Sequence, residues 1–165
     1  ITAADRLVWQ MASEITDGAT VATGVASPLA VLARGYSITR AADGKVKRVK
    51  TRACTNLADA ILTSTAPDMF KGPGDSARYD KLSSKVRMTR FGGDCYAYCL
   101  LAAGHIDLVV EAGLKTVDIV ALIPIIEQAG GVVTSWDGGP AVNGGKIIAA
   151  GDPKVHAAAM KILAG

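Results

Sequence analysis

Hydrophobic and polar positions alternate over short stretches of this chain and recur at helical spacing over others, and the change of period is clearest between residues 92 and 131. Gly92, Gly93 and Asp94 lead into residues 95–103, whose pattern is helical, with Asp94 in the N-cap place and Gly104 ending the helix as a C′ residue. Ile106, Leu108 and Val110 then alternate with Asp107, Val109 and Glu111. That run is too short and too β-branched for a useful helix, so it predicts a strand with Glu111 at or next to its C-terminal end. Gly113 is expected to make a turn and Thr116 to cap the next helix. Residues 119–129 are apolar on nearly all sides apart from Glu127 and Gln128, which predicts a helix buried over most of its surface. Pro124 falls inside it and is expected to kink it.

The flanking sequence supplies the remaining elements. Residues 2–17 fit a helix by the spacing of Leu7, Val8, Met11 and Ile15, and a strand by Leu7, Val8 and Trp9. Asp17 and Gly18 signal a turn, residues 20–25 read as a strand, and Pro28 marks a break. Residues 57–65 predict a central strand, 71–75 a loop, 76–86 a short polar helix, and 87–91 a strand delivering the chain to Gly92. Residues 131–136 and 146–150 read as two strands joined by a glycine-rich turn. Asp152 followed by Pro153 is an N-cap with proline at the first helical position, predicting a helix to about Leu163. No repeat, low-complexity tract or linker divides the 165 residues, and a single domain is expected.

Composition narrows the function classes. Half the residues are apolar, enough for an ordinary core, and a net charge of +3 does not by itself suggest a nucleic-acid or membrane partner. The basic stretch of Lys45, Lys47, Arg48, Lys50 and Arg52 alternates in part with Val46 and Val49 and lacks interleaved aromatics, so it predicts the solvated face of a strand. No apolar run reaches the length of a membrane span and no leader pattern is present. Three cysteines make no disulfide framework. These features favour a soluble protein of a reducing cytoplasm. Cys95 and Cys99 lack a second pair or a nearby histidine and read as buried small residues rather than zinc ligands. His105 and His156 have no identifiable catalytic partner, and neither a nucleophile elbow nor a Walker loop occurs.

Candidate chemistry gathers at one place. In open α/β sheets the carboxyl ends of strands and the amino ends of the helices that follow form the ligand crevice, and Asp94, Glu111 and Asp118 all fall there. Amide hydrogens at residues 92–94 would hold an anion such as phosphate, while Asp118 and Glu111 offer the hard oxygens that magnesium prefers. An anion holder beside a cation holder suggests metal-assisted phosphate chemistry. The same pattern also fits Asp94 and Asp118 as helix caps and Glu111 as a solvated strand end.

Three segments carry a resemblance. Gly92 to Tyr98, Val109 to Lys115 and Ala121 to Pro124 match the G-x-D-C-Y-A-Y segment, the V-V-E-x-G-L-K strand end and the A-L-I-P helix of the inositol monophosphatase family, histidinol-phosphate phosphatase branch. Gly24 to Pro28 resembles the family's G-V-I-x-x-P segment. The resemblance implies an α/β fold, a mixed sheet with packed helices forming the C-terminal lobe of a layered αβαβα architecture. It implies magnesium-dependent hydrolysis of a small phosphorylated alcohol, histidinol phosphate first and inositol 1-phosphate as the alternative, in a homodimer. By the same resemblance Asp118 is a metal ligand, Gly92, Gly93 and Asp94 contact substrate, and Glu111 contacts its alcohol part. Asp94 and Glu111 would then pair with the amine of an aminoalcohol.

Two departures qualify the match. Val117 and Thr116 stand where the family usually has an aromatic and the histidinol branch tends to have proline, which bears on substrate packing. The family's Glu-Glu segment and D-P-I-D-G-T motif, which supply most metal ligands and a water-activating threonine, have no counterpart in residues 1–91. The expectation is therefore a partial domain, its N-terminal lobe lying upstream, with no catalytic residue of its own and no competence alone. The rival expectation is a non-catalytic half-fold used for binding or association.

Overall fold

The computed structural model of the chain describes residues 46–165, with side chains from Arg48 onward, and the backbone of two further strands at 31–33 and 36–40. The expectations for residues 2–17, residues 20–25, Pro28 and Lys45 lie outside the described residues. Strands β1 (Val31–Ala33), β2 (Tyr36–Arg40) and β3 (Val46–Arg48) pair antiparallel in that order. The main sheet has five strands, β4 (Ile61–Ser64), β5 (Met88–Phe91), β6 (Leu108–Leu114), β7 (Val132–Ser135) and β8 (Gly145–Ala150), in the order β5-β4-β6-β8-β7. β4 runs parallel to β5 and β6, and β8 runs antiparallel to β6 and β7.

Strand alternation sends side chains to two separate cores. On one face Val109, Val133, Ile147 and Ala149 pack with α2 (Asp94–Ala102), α3 (Thr116–Ile119) and α4 (Ile123–Gln128). On the other, Leu62, Leu108, Val110 and Ile148 pack with α1 (Asp75–Ser83) and α5 (Pro153–Leu163). Helices thus cover both faces of a mixed sheet, the α/β architecture expected. Burial on both sides is also why β6 and β8 read as nearly continuous apolar runs. No described helix is long and apolar enough to cross a membrane.

Local signals fix several boundaries. Asp152 caps α5 by accepting the Lys154 amide at 2.8 Å through one oxygen, and its other oxygen accepts the Cys54 amide at 3.2 Å. Gly104, at φ +78°, closes α2 with its own amide on Leu101 O and the following amide on Leu100 O, a Schellman motif.

Five expectations are corrected. Residues 57–65 are not one strand: Leu57–Asp59 form a 3₁₀ turn whose N-cap, Asn56, accepts the Ala58 amide, and β4 begins only at Ile61. Residues 119–129 are not one helix, because Pro124 has no amide to give the Val120 carbonyl; the chain leaves α3 at Ile119 and restarts α4 with proline in its first turn. Lys115, not Thr116, is the N-cap of α3. Gly113 makes no turn; its φ of +80° serves a bulge inside β6, where the register with β8 shifts between Glu111 and Leu114. Glu111 is consequently inside the strand. Cys95 is exposed and Cys99 half-buried, so the reading of both as buried is also corrected.

The amino-terminal edge of the sheet is held by one ion pair. Asp107, 1% exposed, takes the guanidinium of Arg52 through both oxygens and also accepts the Ile61 amide at 2.8 Å. Of the predicted basic stretch, Arg48 and Lys50 are solvent-exposed while Val49 is buried, and Arg52 has this structural partner. Removing Asp107 orphans the Ile61 amide and the guanidinium together. Asp107→Ala is expected to lower unfolding free energy by about 3 kcal/mol. Arg52→Ala should lower it less, since solvent screens its 41%-exposed side chain; urea unfolding measures both.

His156 provides a second check. Its Nε2 lies 2.9 Å from Thr134 Oγ1, and burial holds its pKa below the usual histidine value. The unfolded chain therefore takes up the proton first, and the stability contributed by neutral His156 is complete above the unfolded pKa and lost as pH falls through the folded one. Melting temperature should begin to drop as pH falls below about 6.5, and His156→Gln should flatten that drop.

Candidate active-site edge

Because β4, β5 and β6 are parallel, their carboxyl ends share one edge. Gly92 leaves β5 with φ +87°, a value that only glycine adopts readily, and its amide donates to Thr65 O at 2.9 Å and Ser64 O at 3.2 Å. Gly93 is packed too closely for any side chain: a Cβ there would lie 2.8 Å from Ala97 Cβ and 3.2 Å from Thr63 Cγ2.

Asp94 is not the cap expected of it. Gly93 occupies the N-cap position, its carbonyl accepting the Ala97 amide at 3.2 Å, and Asp94 becomes the first residue of α2 with φ +43°. No side chain caps α2, so its first-turn amides face the edge without an internal side-chain acceptor. The Asp94 side chain itself is exposed. A left-handed φ away from glycine is strained, and aspartate tolerates it better than most residues.

Glu111 is neither exposed nor at a strand end. It is 2% exposed. Oε1 receives the Thr65 hydroxyl and the Thr65 amide (3.2 Å), and Oε2 receives the Tyr98 hydroxyl at 2.7 Å. Tyr98 is itself buried, and its pKa is pushed far above the ordinary tyrosine value by burial first, then by the charge of Glu111 and of Asp118. Its hydroxyl stays protonated as a donor.

Asp118 lies in the first turn of α3 and is exposed. Its Oδ2 accepts the Lys115 amide at 2.7 Å while its own amide donates to Lys115 O at 3.0 Å. Oδ1 makes no hydrogen bond among the described residues. The fold thus brings Glu111 and Asp118 into electrostatic reach of Tyr98, and places Asp94 one helical turn before it. Val117 (77% exposed) lies beside Asp118 in sequence, and Val142 (40%) belongs to the turn against which α3 rests.

The donor set can be tested against magnesium. Among the described residues no three His, Cys, Asp or Glu side chains converge on a metal position. Asp118 fits as one ligand, with one hard oxygen open and its carboxylate oriented by the Lys115 amide. Glu111 is the poorer fit, being 2% exposed and already accepting three internal donors, two on Oε1 and one on Oε2. Thr65 and Tyr98 escaped the sequence reading. Thr65 follows β4 on the same edge, and Tyr98 is four residues after Asp94 on one helix face, which are the signals that point to them.

The tight contact at Gly93 makes a direct prediction. Gly93→Ala must displace α2 from β4, so amide resonances of residues 92–97 should shift, while the indole N–H of Trp136, bonded to Ile147 O at 3.1 Å, should not.

Comparison with known proteins places this edge in context. The model of the inositol monophosphatase family matches residues 15–164. The chain is 40% identical over 124 residues to the bifunctional phosphatase IMPL2, chloroplastic, of Arabidopsis thaliana, covering 70% of this chain and 36% of that protein. It is 29% identical over 148 residues to a histidinol-phosphatase of Mycobacterium tuberculosis, covering 86% of this chain and 57% of that one. A solved inositol monophosphatase from Zymomonas mobilis aligns with a TM-score of 0.68 at 41% identity, over 73% of this chain and 49% of that chain. The chain thus spans between about a third and just over half of these relatives' lengths. With the match running through the main sheet and its carboxyl edge, the chain belongs to the inositol monophosphatase family.

Proposed function

We propose that this chain serves the magnesium-dependent hydrolysis of a small phosphate monoester, histidinol phosphate foremost. The observation that carries the reading is the exposed Asp94 carboxylate on a strained turn beside the uncapped amides of α2, on the same edge as the open oxygen of Asp118. Amides attract the phosphate, and Asp94 attracts a cationic amine. The bifunctional phosphatase IMPL2 supports phosphate hydrolysis, and the Mycobacterium histidinol-phosphatase supports histidinol phosphate as the substrate.

In this reading Asp118 is the residue here that holds magnesium, with its remaining ligands coming from outside the described residues and from water. When bound, the ion lowers the pKa of a water and stabilises the leaving oxygen. Lys115 fixes the carboxylate through its amide, and Glu111 adds negative charge from beneath the substrate's amine. Val117 and Val142 offer apolar surface to the non-phosphate part. Inositol 1-phosphate is the second reading, favoured by the 41% identity to the Zymomonas enzyme. A homodimer in the cytoplasm belongs to the same proposal, on the family resemblance.

Phosphate release from histidinol phosphate and from inositol 1-phosphate, with and without magnesium, is the test. Magnesium-dependent release from the first is expected, with Asp118→Asn lowering it roughly a hundredfold. Asp94→Asn should raise KM about tenfold for histidinol phosphate and less for inositol 1-phosphate. Release from inositol 1-phosphate alone establishes the second reading, and release from neither leaves a half-fold that binds without turnover.

A further inference from the structure

A charged side chain in the middle of a buried strand is costly where an aliphatic one would pack, and Glu111 shares its face of β6 with Val109. No ion pair to Glu111 occurs among the described residues. Three neutral donors hold it instead, two from Thr65 and one from Tyr98. These donors come from two different walls of the edge. Thr65 follows β4, and its carbonyl accepts the Gly92 amide at 2.9 Å. Tyr98 stands one helical turn beyond Asp94 in α2. The turn at residues 92–94 spans the gap between those walls; glycine takes the φ of +87° at Gly92 freely, but the +43° at Asp94 persists only where the surroundings over-determine it.

We propose that Glu111 is a positioning residue, which through Thr65 and Tyr98 holds the turn at residues 92–94 in its strained form and so aims Asp94 and the α2 amides at the substrate. The proposal rests on that turn being the substrate site. It differs from direct contact in what it demands. A Glu111 that only touched substrate would leave the turn unmoved when Thr65 or Tyr98 loses its donor, whereas a bracing Glu111 ties exchange at Gly92 to both donors. Tyr98, 1% exposed, cannot reach a substrate at all, so any effect it has on binding passes through Glu111 and α2.

The experiment uses the full chain with Tyr98→Phe, Thr65→Val and Thr65→Ser, each read by amide hydrogen exchange at Gly92 and by binding of histidinol phosphate and inositol 1-phosphate in magnesium. Tyr98→Phe and Thr65→Val should each speed exchange at Gly92 by about tenfold and weaken both ligands by a similar factor. Thr65→Ser, which keeps the hydroxyl, should restore both. Exchange at the Trp136 indole N–H should stay at the wild-type rate throughout, which separates loss of bracing from general loosening. Unchanged exchange at Gly92 in Tyr98→Phe and Thr65→Val overturns the proposal. So does faster exchange at Gly92 with both affinities unchanged, which would leave the bracing without a part in binding. If wild type binds neither ligand while Gly92 still loosens in the variants, the phosphatase reading fails and the bracing by Glu111 stands.

Discussion

The pairing of β4 with β6 is the constraint on which the rest of the sheet depends, and two buried carboxylates hold it at its two ends. Asp107 accepts the Ile61 amide at the amino end and Glu111 accepts the Thr65 amide at the carboxyl end. Between them the backbone register pairs Leu62 with Leu108 and Thr63 with Val109, and Ser64 Oγ donates to Val110 O at 2.7 Å. All these contacts share one register. Parallel pairs are slightly weaker per residue than antiparallel ones, and a one-residue slip would send every side chain to the wrong face. The side-chain clamps therefore do for this short pair what length does for a longer one. They also differ in kind: Asp107 meets a guanidinium, while among the described residues Glu111 meets hydroxyls and an amide. Among the described residues, the carboxylate at the amino end has a counter-charge and the one at the carboxyl end has none.

The position of Asp118 follows from the same strand by a second route. The bulge at Gly113 and the end of β6 at Leu114 deliver the chain to Lys115, whose amide orients the Asp118 carboxylate. From the other side, the loop before β8 lies against that junction. A Cβ on Gly144 would stand 2.4 Å from Leu114 O, so only glycine lets the Ala141–Asn143 turn approach so closely. α3 is a single turn, too short to be stable by itself, and is held by this packing and by the burial of Ile119. The break before Pro124 has a use here: a continuous helix would tie Asp118 to the packing of α4, whereas two short helices let each be set by its own neighbours.

What was legible in the sequence was local. Asp152 with Pro153, and Gly104 behind an apolar helix, announce themselves within a few residues, and both stand as read. The order of helix and strand after Gly92 was legible from the change of hydrophobic period, and the α/β class from the family resemblance. What was not legible depended on distant partners. Asp94 has the chemistry of a cap, but the packing of Gly93 against Ala97 and Thr63 moves the cap one residue earlier. Residues 119–129 are apolar on every side, so they carry no phase from which a break can be read. Glu111 looks like a solvated strand end because its burial is made by Thr65 and Tyr98, 46 and 13 residues away. Tyr98 looks like an ordinary core aromatic, and its ring is one; only its hydroxyl has a further role.

That hydroxyl divides the carboxylates of the edge. Burial and the nearby charges of Glu111 and Asp118 keep it protonated, so it has a proton to give, and the geometry directs that proton to Glu111. With Thr65 on the other oxygen, Glu111 directs its acceptor capacity inward. Asp118 keeps one oxygen turned to solvent, and Asp94 is exposed on its strained turn. Three acids that look equivalent along the sequence are thereby assigned different work by one buried phenol. On the reading proposed above, the inner one shapes the edge and the outer two meet a cation, whether it arrives as a metal ion or as the amine of a substrate.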